Sequence, residues 1–586
     1  MSHFSRSFLY SLFILVVFGI SPSAIAHSTG EVAGAMTDEG GAAIAGARIT
    51  LGEQKGGRVL AMGRTSSASG PSGIASKVNH LGKVHFANSC SPQVQLEFNS
   101  AVAMLHSFQY EFAEKTFFHV IQNDSQCAIA YWGAAMSLNH QLWDPPTAEG
   151  FKKGLAYLER ARPLQNRSSP REIAYLDAAR LLFQPEKHRG SSRFQAYCDA
   201  MRNLNQHYPD DDDATAFYAL SLLALSFEVG DDSNHKAVAI LQRLFSARPE
   251  HPGAAHYLIH ATDTASLAPL GLIAARSYAK IAPSSPHALH MPAHIFVRLG
   301  MWQESIESNL ASISAAREAT NSRHYDGTGD ALHAIMYLSY SYLQRGDDES
   351  ARRVVQSIKD LPKARSKDVV NDSAILDALY AVETHDWRRA TNLAPPPSAF
   401  PYAKIRTFWA RAIGAARTGN IVEARQNIEG LDQAFANMVR NIQSVACPMH
   451  TAHSEDSERV QQLEAKAWLA WAEGKPEEAL EIMQKAAATE DSYDVESRTV
   501  PAYEMLGDLF LELGQPESAL IAYETALKEA PLRLNDLAGA ARASRIIGNL
   551  RGARNYYAAL VKCCTPRAAR KELAEAKSFL SDNRLE

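Results

Sequence analysis

An excess of charge of one sign is missing from this 586-residue chain, in which 59 Lys and Arg stand against 64 Asp and Glu. No Lys/Arg-rich tract stands out, so neither composition nor pattern points to nucleic acid. Cysteine is scarce: six residues are too few for a disulfide framework in so long a chain. No Cys-x-x-Cys pair occurs to suggest a redox or zinc-finger centre. Beyond the N-terminus there is no uninterrupted apolar stretch of about 20 residues, which argues against a membrane-spanning helix in the mature chain. Enzyme signatures are lacking too, with no Gly-rich phosphate loop and no Gly-x-Ser-x-Gly elbow. His256-Tyr257-Leu258-Ile259-His260 has metalloprotease spacing, but the residue after the first His is Tyr rather than the Glu that would act as base. The chain therefore reads first as a binding protein.

What is present begins with a secretory signal. Arg6, the apolar run Phe8 to Ile20 and Ala24-Ile25-Ala26 supply its three parts, so residues 1–26 are expected to be removed and the mature protein to be exported, to the periplasm or the medium. Residues 27–80 are rich in Gly, Ser and Ala. Within them Val32 to Asp38 and Ala43 to Leu51 alternate in a β-like pattern around Gly40-Gly41, and Ser66 to Ser72 reads as linker. This arm resembles the start of a carboxypeptidase-regulatory-like β-sandwich, which implies attachment or spacing.

From about Pro92 onward the pattern is helical. Its most regular unit runs from Val500 to Pro531, with Tyr503, Leu506, Gly507, Phe510, Gly514, Ala519, Tyr523, Ala526 and Pro531 at fixed offsets. This unit resembles the tetratricopeptide repeat, a 34-residue pair of antiparallel helices. Ala541, Gly548, Ala553 and Tyr557 repeat the pattern after it, and Ala467, Gly474, Ala479 and Ala486 before it. Gly300, Gly346 and Gly419 mark inter-helix turns of more degenerate units, and Ala113 and Phe117 set the phase of the first. The expected fold is an all-α solenoid in which each unit buries its apolar face only against its neighbours. Its divisions are degenerate repeats over 85–250, a His-rich centre over 251–360, further degenerate helices over 361–460 and regular repeats over 461–578. Cys90 and Cys127 bracket about one repeat and should meet at the same end of neighbouring helices, where an oxidising compartment would let them bridge.

The histidines follow the same period. His256 and His260 recur 34 residues later as His290 and His294, and His106 and His140 are also 34 apart. In such repeats the second, fifth and ninth places of the first helix face the concave groove. Counted back from Gly300, His287, His290 and His294 fill those three places, His256 and His260 take the fifth and ninth one unit earlier, and His333 takes a second place in a later unit. Asp263 follows one turn after His260. Imidazoles four residues apart share a helix face with Cβ atoms about 5 to 6 Å apart, close enough to hold one ion. His256, His260, His290 and His294 are thus expected to bind a transition metal. His287, Asp263 and His333 are further ligand candidates, as are His106 and His140 at the groove edge. Imidazole donors suit zinc or copper ahead of iron, and not calcium or magnesium.

Simpler readings compete with this one. Groove histidines also serve as hydrogen-bonding residues for a bound peptide, and Tyr257, Tyr278, Tyr337 and Tyr340 could belong to such a surface. Pro292 removes a backbone donor inside the second pair and should kink its helix, joining or separating its histidines. Met291 reads as packing. Cys447, His450 and His453 form a second possible ligand cluster in an inter-repeat loop, His27 would be a chelating N-terminus after cleavage, and Asp210 to Asp213 read as a solvated helix start. The stretches His85 to Cys90, Ala130 to Trp143, His256 to Asp263 and His287 to Gly300 resemble a group of exported bacterial tetratricopeptide proteins, a resemblance that implies protein or peptide binding in a concave groove and no particular reaction. The resulting expectation is an exported scaffold for a protein or peptide partner with a His-bound metal, its rival a metal-dependent oxidoreductase or hydrolase using the same cluster.

Overall fold

A computed structural model describes residues 80–582 apart from 141, 143–145, 185–190, 230, 324–325, 397–399, 445–450 and 493–498. The expected signal peptide and all but the last residue of the Gly/Ser/Ala-rich arm, His27 included, lie outside the described residues, as do Cys447, His450 and the side chain of His453. The described chain is an all-α solenoid of helices linked by short turns, with no strand among the described residues. No helix among them is long and apolar enough to cross a membrane.

The repeat Val500 to Pro531 shows how the sequence builds the unit. Helix Ala502–Glu512 ends at Gly514, whose φ of +68° is a left-handed conformation that Gly adopts without a Cβ penalty. The Gln515 amide donates back to the Phe510 carbonyl at 2.9 Å, and Pro516 opens helix Pro516–Glu529, where its missing N–H costs nothing. Gly300, Gly346, Gly419, Gly474 and Gly548 make the same turn, with φ between +67° and +79°. The fully buried Tyr523 ring then fills the space between three helices. A Cβ on Gly507 would stand 2.7 Å from that ring, and one on Gly539 of the next unit 2.3 Å. Gly133 makes the same allowance for Phe117 near the other end of the described chain.

Packing only against neighbours, as expected for a solenoid, does not hold here. Residues 300–383 and 499–570 meet across the fold. The Trp302 indole N–H donates to the Leu532 carbonyl at 3.0 Å, the Leu534 amide to Gln344 Oε1 at 3.0 Å and the Thr565 amide to the Arg345 carbonyl at 2.8 Å. At the centre of this contact Arg533, fully buried, binds Glu383, Glu504 and Asp536 and donates to the Tyr340 hydroxyl at 2.6 Å. One guanidinium cannot neutralise three carboxylates, and burial pushes the Glu383 and Asp536 carboxyls above their usual range. At the start of the described chain the Lys83 amide donates to the Glu250 carbonyl at 2.8 Å, and Cys90 and Cys127 are joined by a disulfide.

Candidate metal centre

The helices that carry the histidines are held by caps and prolines read easily from the sequence. Helix Pro252–Ala261 starts at Pro252, and its N-cap residue His251 accepts the Ala254 amide through Nδ1 at 3.2 Å. Ser285 caps the next histidine helix, which Pro286 opens. That helix breaks as Pro292 dictates, into Pro286–His290 and Pro292–Arg298, so His290 and His294 lie on either side of the break. The break does not part them: their Nε2 atoms are 3.0 Å apart. Met291, fully buried, packs in the core.

The structure sorts the histidines into two triads rather than the expected set of four. His256 Nε2 lies 3.1 Å from His260 Nε2 and 3.0 Å from His287 Nε2. The second triad is His290, His294 and His333, the last from helix Thr328–Gln344. Within each triad one nitrogen from every ring lies within 4.8 Å of the others, and the triads adjoin, with the His260 and His294 rings 6.1 Å apart and the His287 and His290 rings 6.4 Å apart.

Outer hydrogen bonds decide which nitrogen of each ring carries its proton. His256 Nδ1 donates to the His106 carbonyl at 2.6 Å, which leaves its Nε2 lone pair facing the triad. His290 Nδ1 lies 2.7 Å from Asn309 Oδ1; because the Asn309 amide group donates to the Ser305 carbonyl at 2.7 Å, that oxygen is the acceptor and His290 the donor. His294 Nδ1 donates to Asp263 Oδ2 at 2.6 Å, with the Tyr337 hydroxyl 2.9 Å from the same nitrogen. Arg298 clamps Asp263 from behind through its side chain at 3.0 Å and its carbonyl at 2.9 Å. Asp263 is therefore an orienting acceptor behind a histidine, not the carboxylate ligand expected. Burial pushes its carboxyl up, but His294 and Arg298 together outweigh that and hold it below the usual carboxylate range.

With both Nδ1 protons directed outward, His290 and His294 bring their Nε2 atoms within 3.0 Å of one another. Either a proton on one Nε2, giving an N–H···N hydrogen bond, or a metal ion between the two nitrogens satisfies that contact. Burial, reinforced by the neighbouring imidazoles, pushes His256 and His260 far below the usual histidine range and His287 to about 3. These rings are neutral at neutral pH, the form that ligates metal.

His106 and His140 do not join either triad. His106, fully buried, sits between the Tyr257 hydroxyl and Asp213, each 2.9 Å from a ring nitrogen, and burial lowers its pKa to about 4 in spite of Asp213. His251 reaches the same Asp213 oxygen at 3.2 Å. Asp213 is 2 % exposed, so this end of the Asp210 to Asp213 run is not solvated as expected but anchors two buried histidines. His140 stacks on Tyr110 at 4.3 Å and lines a cavity of about 550 Å³ together with His287, His290 and His333. Tyr257, Tyr278, Tyr337 and Tyr340 are all buried and offer no surface to a peptide. Asn309 and His251 were not singled out in the sequence, Tyr337 was expected on a peptide surface and not beside His294, and His106 and Asp213 were not paired. Asn309 was signalled by buried Ser305, Asn309 and Ser312, a polar stripe at helical spacing.

Comparison with known proteins adds the repeat. Residues 500–531 match the tetratricopeptide repeat family model. The flanking helix pairs 451–490 and 534–563, with the same Gly turns at 474 and 548, repeat its geometry. No curated protein sequence matches the chain. Among solved structures it is similar to the human IFIT1 dimer with m7Gppp-AAAA, at 11% identity and TM-score 0.34 over 74% of this chain and 90% of that one. It is similar also to the same dimer with PPP-AAAA, at 12% identity and TM-score 0.34 with equal coverage. A third is the P58(IPK) TPR domain, at 13% identity and TM-score 0.22 over 78% of this chain and 99% of that one.

Proposed function

We propose that this chain is an exported helical-repeat scaffold that binds a protein or peptide in its concave groove and holds transition-metal ions, zinc or copper, on its two histidine triads. One observation carries the metal reading: His290 and His294 converge through Nε2 at 3.0 Å while Asn309 and Asp263 take their Nδ1 protons. The outer carbonyl, amide and carboxylate behind His256, His290 and His294 are the support that ligating histidines receive in metalloproteins. Three imidazoles per ion leave a fourth position open, the pattern of sites that bind a further ligand. The partner reading is supported by the tetratricopeptide repeat at 500–531 and by the extended concave surfaces that stacked repeats build. Export is supported by the N-terminal pattern and by the Cys90–Cys127 disulfide, a bond that persists in oxidising compartments.

Calorimetric titration of the metal-free protein with zinc tests the metal reading. Wild type should bind zinc saturably, and its Tm should rise with zinc concentration by mass action. His290→Ala plus His294→Ala should lose the second triad's share of the heat. Absence of saturable binding in wild type would refute the reading.

A further inference from the structure

The two triads are not separate sites with separate surroundings. Resting on the metal reading above, we infer that they form one dinuclear centre whose two ions share a single water-derived oxygen ligand, admitted from the cavity beside His287, His290 and His333.

Four features lead to this. First, each triad supplies three nitrogen donors and no more, so each ion keeps an open coordination position. Second, the triads face one another, with rings from opposite triads 6.1 Å apart at His260 and His294 and 6.4 Å apart at His287 and His290. Ions held on two such adjoining triads would be neighbours, and ions about 3.5–4 Å apart are the ones that one bridging atom joins. Third, the cavity of about 550 Å³ is lined by His287 from one triad and by His290 and His333 from the other. A ligand entering there reaches side chains of both triads. Fourth, the same cavity is also lined by Asp326, Asp330, Asp368 and Asp372, with Asp330 one helical turn before His333. Carboxylates in that lining draw cations toward the triads and disfavour anionic ligands, and water is the neutral oxygen donor we infer. On binding, the water oxygen shares lone pairs with both ions, one O–H bond breaks and its proton leaves to solvent, giving a bridging hydroxide.

Copper(II) is the probe that reads this pairing without any assay of activity. Two copper(II) ions bridged by one oxygen couple their unpaired electrons and lose their paramagnetic resonance signal, whereas isolated ions keep it. Metal-free full-length protein is titrated with copper(II) sulfate, and bound copper from mass spectrometry is compared with the integrated resonance intensity. The inference expects two copper per chain with less than a tenth of the corresponding signal. His333→Ala and His260→Ala each remove one ligand from opposite triads. Both side chains are only partly buried, so at least one variant should fold, and each should bind about one tight copper with the full signal of one ion. Two copper with full intensity in wild type, or one copper per chain, would overturn the shared bridge while leaving metal binding intact. No bound copper at all would overturn the metal reading itself.

Discussion

His294 donates a hydrogen bond from Nδ1 to Asp263 Oδ2 at 2.6 Å and turns its Nε2 to His290 at 3.0 Å. The carboxylate fixes which nitrogen is free and raises the basicity of the ring, as acceptors behind metal-bound histidines do. Asp263→Asn keeps the shape and removes the charge. Metal affinity at the second triad should fall roughly 10- to 100-fold, with the number of ions bound at saturation unchanged. Competition with a chelator of known affinity measures this. A loss of stoichiometry would instead make Asp263 a ligand.

Glu490 provides a pH prediction away from the histidines. Burial raises its carboxyl to about 7, although it accepts the Ala502 amide at 2.9 Å. The unfolded chain releases this proton near pH 4.3 while the folded chain holds it to about 7, so its stabilising contribution is full below pH 4.3 and is lost as pH rises to 7. Glu490→Gln cannot ionise. Its stability relative to wild type should therefore grow between pH 4.3 and 7, by up to about 3 kcal/mol at 1.36 kcal/mol per unit. Parallel denaturation profiles for the two proteins would contradict the assignment.

Gly539→Ala places a methyl 2.3 Å from the Tyr523 ring, which is wedged against Gly507 on its other side and has no room to retreat. Overpacking of this kind costs about 1–3 kcal/mol. Tyr523→Leu, destabilising alone, should be less so in the Gly539→Ala background. A double-mutant cycle in chemical denaturation reads the coupling, and strict additivity would exclude it.

Much of this architecture was legible because the repeat has a fixed period. The 34-residue displacement of His256 and His260 onto His290 and His294, with the phase from Gly300, placed His287 and His333 on the same face, and the structure adds one of them to each triad. The period could not show how the imidazoles divide, since that depends on the twist between units and on the break at Pro292. Nor could it show that Asp263 would approach Nδ1 of His294 and not an ion, a matter of one helical turn. Asp213 reads as one of four consecutive aspartates, and only the approach of His106 and His251, 107 and 38 residues away, makes it a buried acceptor. The contact of residues 300–383 with 499–570 was likewise hidden: Arg533 and Trp302 look like ordinary repeat residues until chain segments about 200 residues apart are joined.

The most direct test of the proposed metal centre is elemental analysis of the protein purified without a histidine tag or chelator, compared with His256→Ala plus His290→Ala. Wild type should carry close to two zinc or copper ions per chain and the variant, with one ligand removed from each triad, far fewer. A wild-type protein that carries no transition metal, and takes up none on reconstitution, would contradict it.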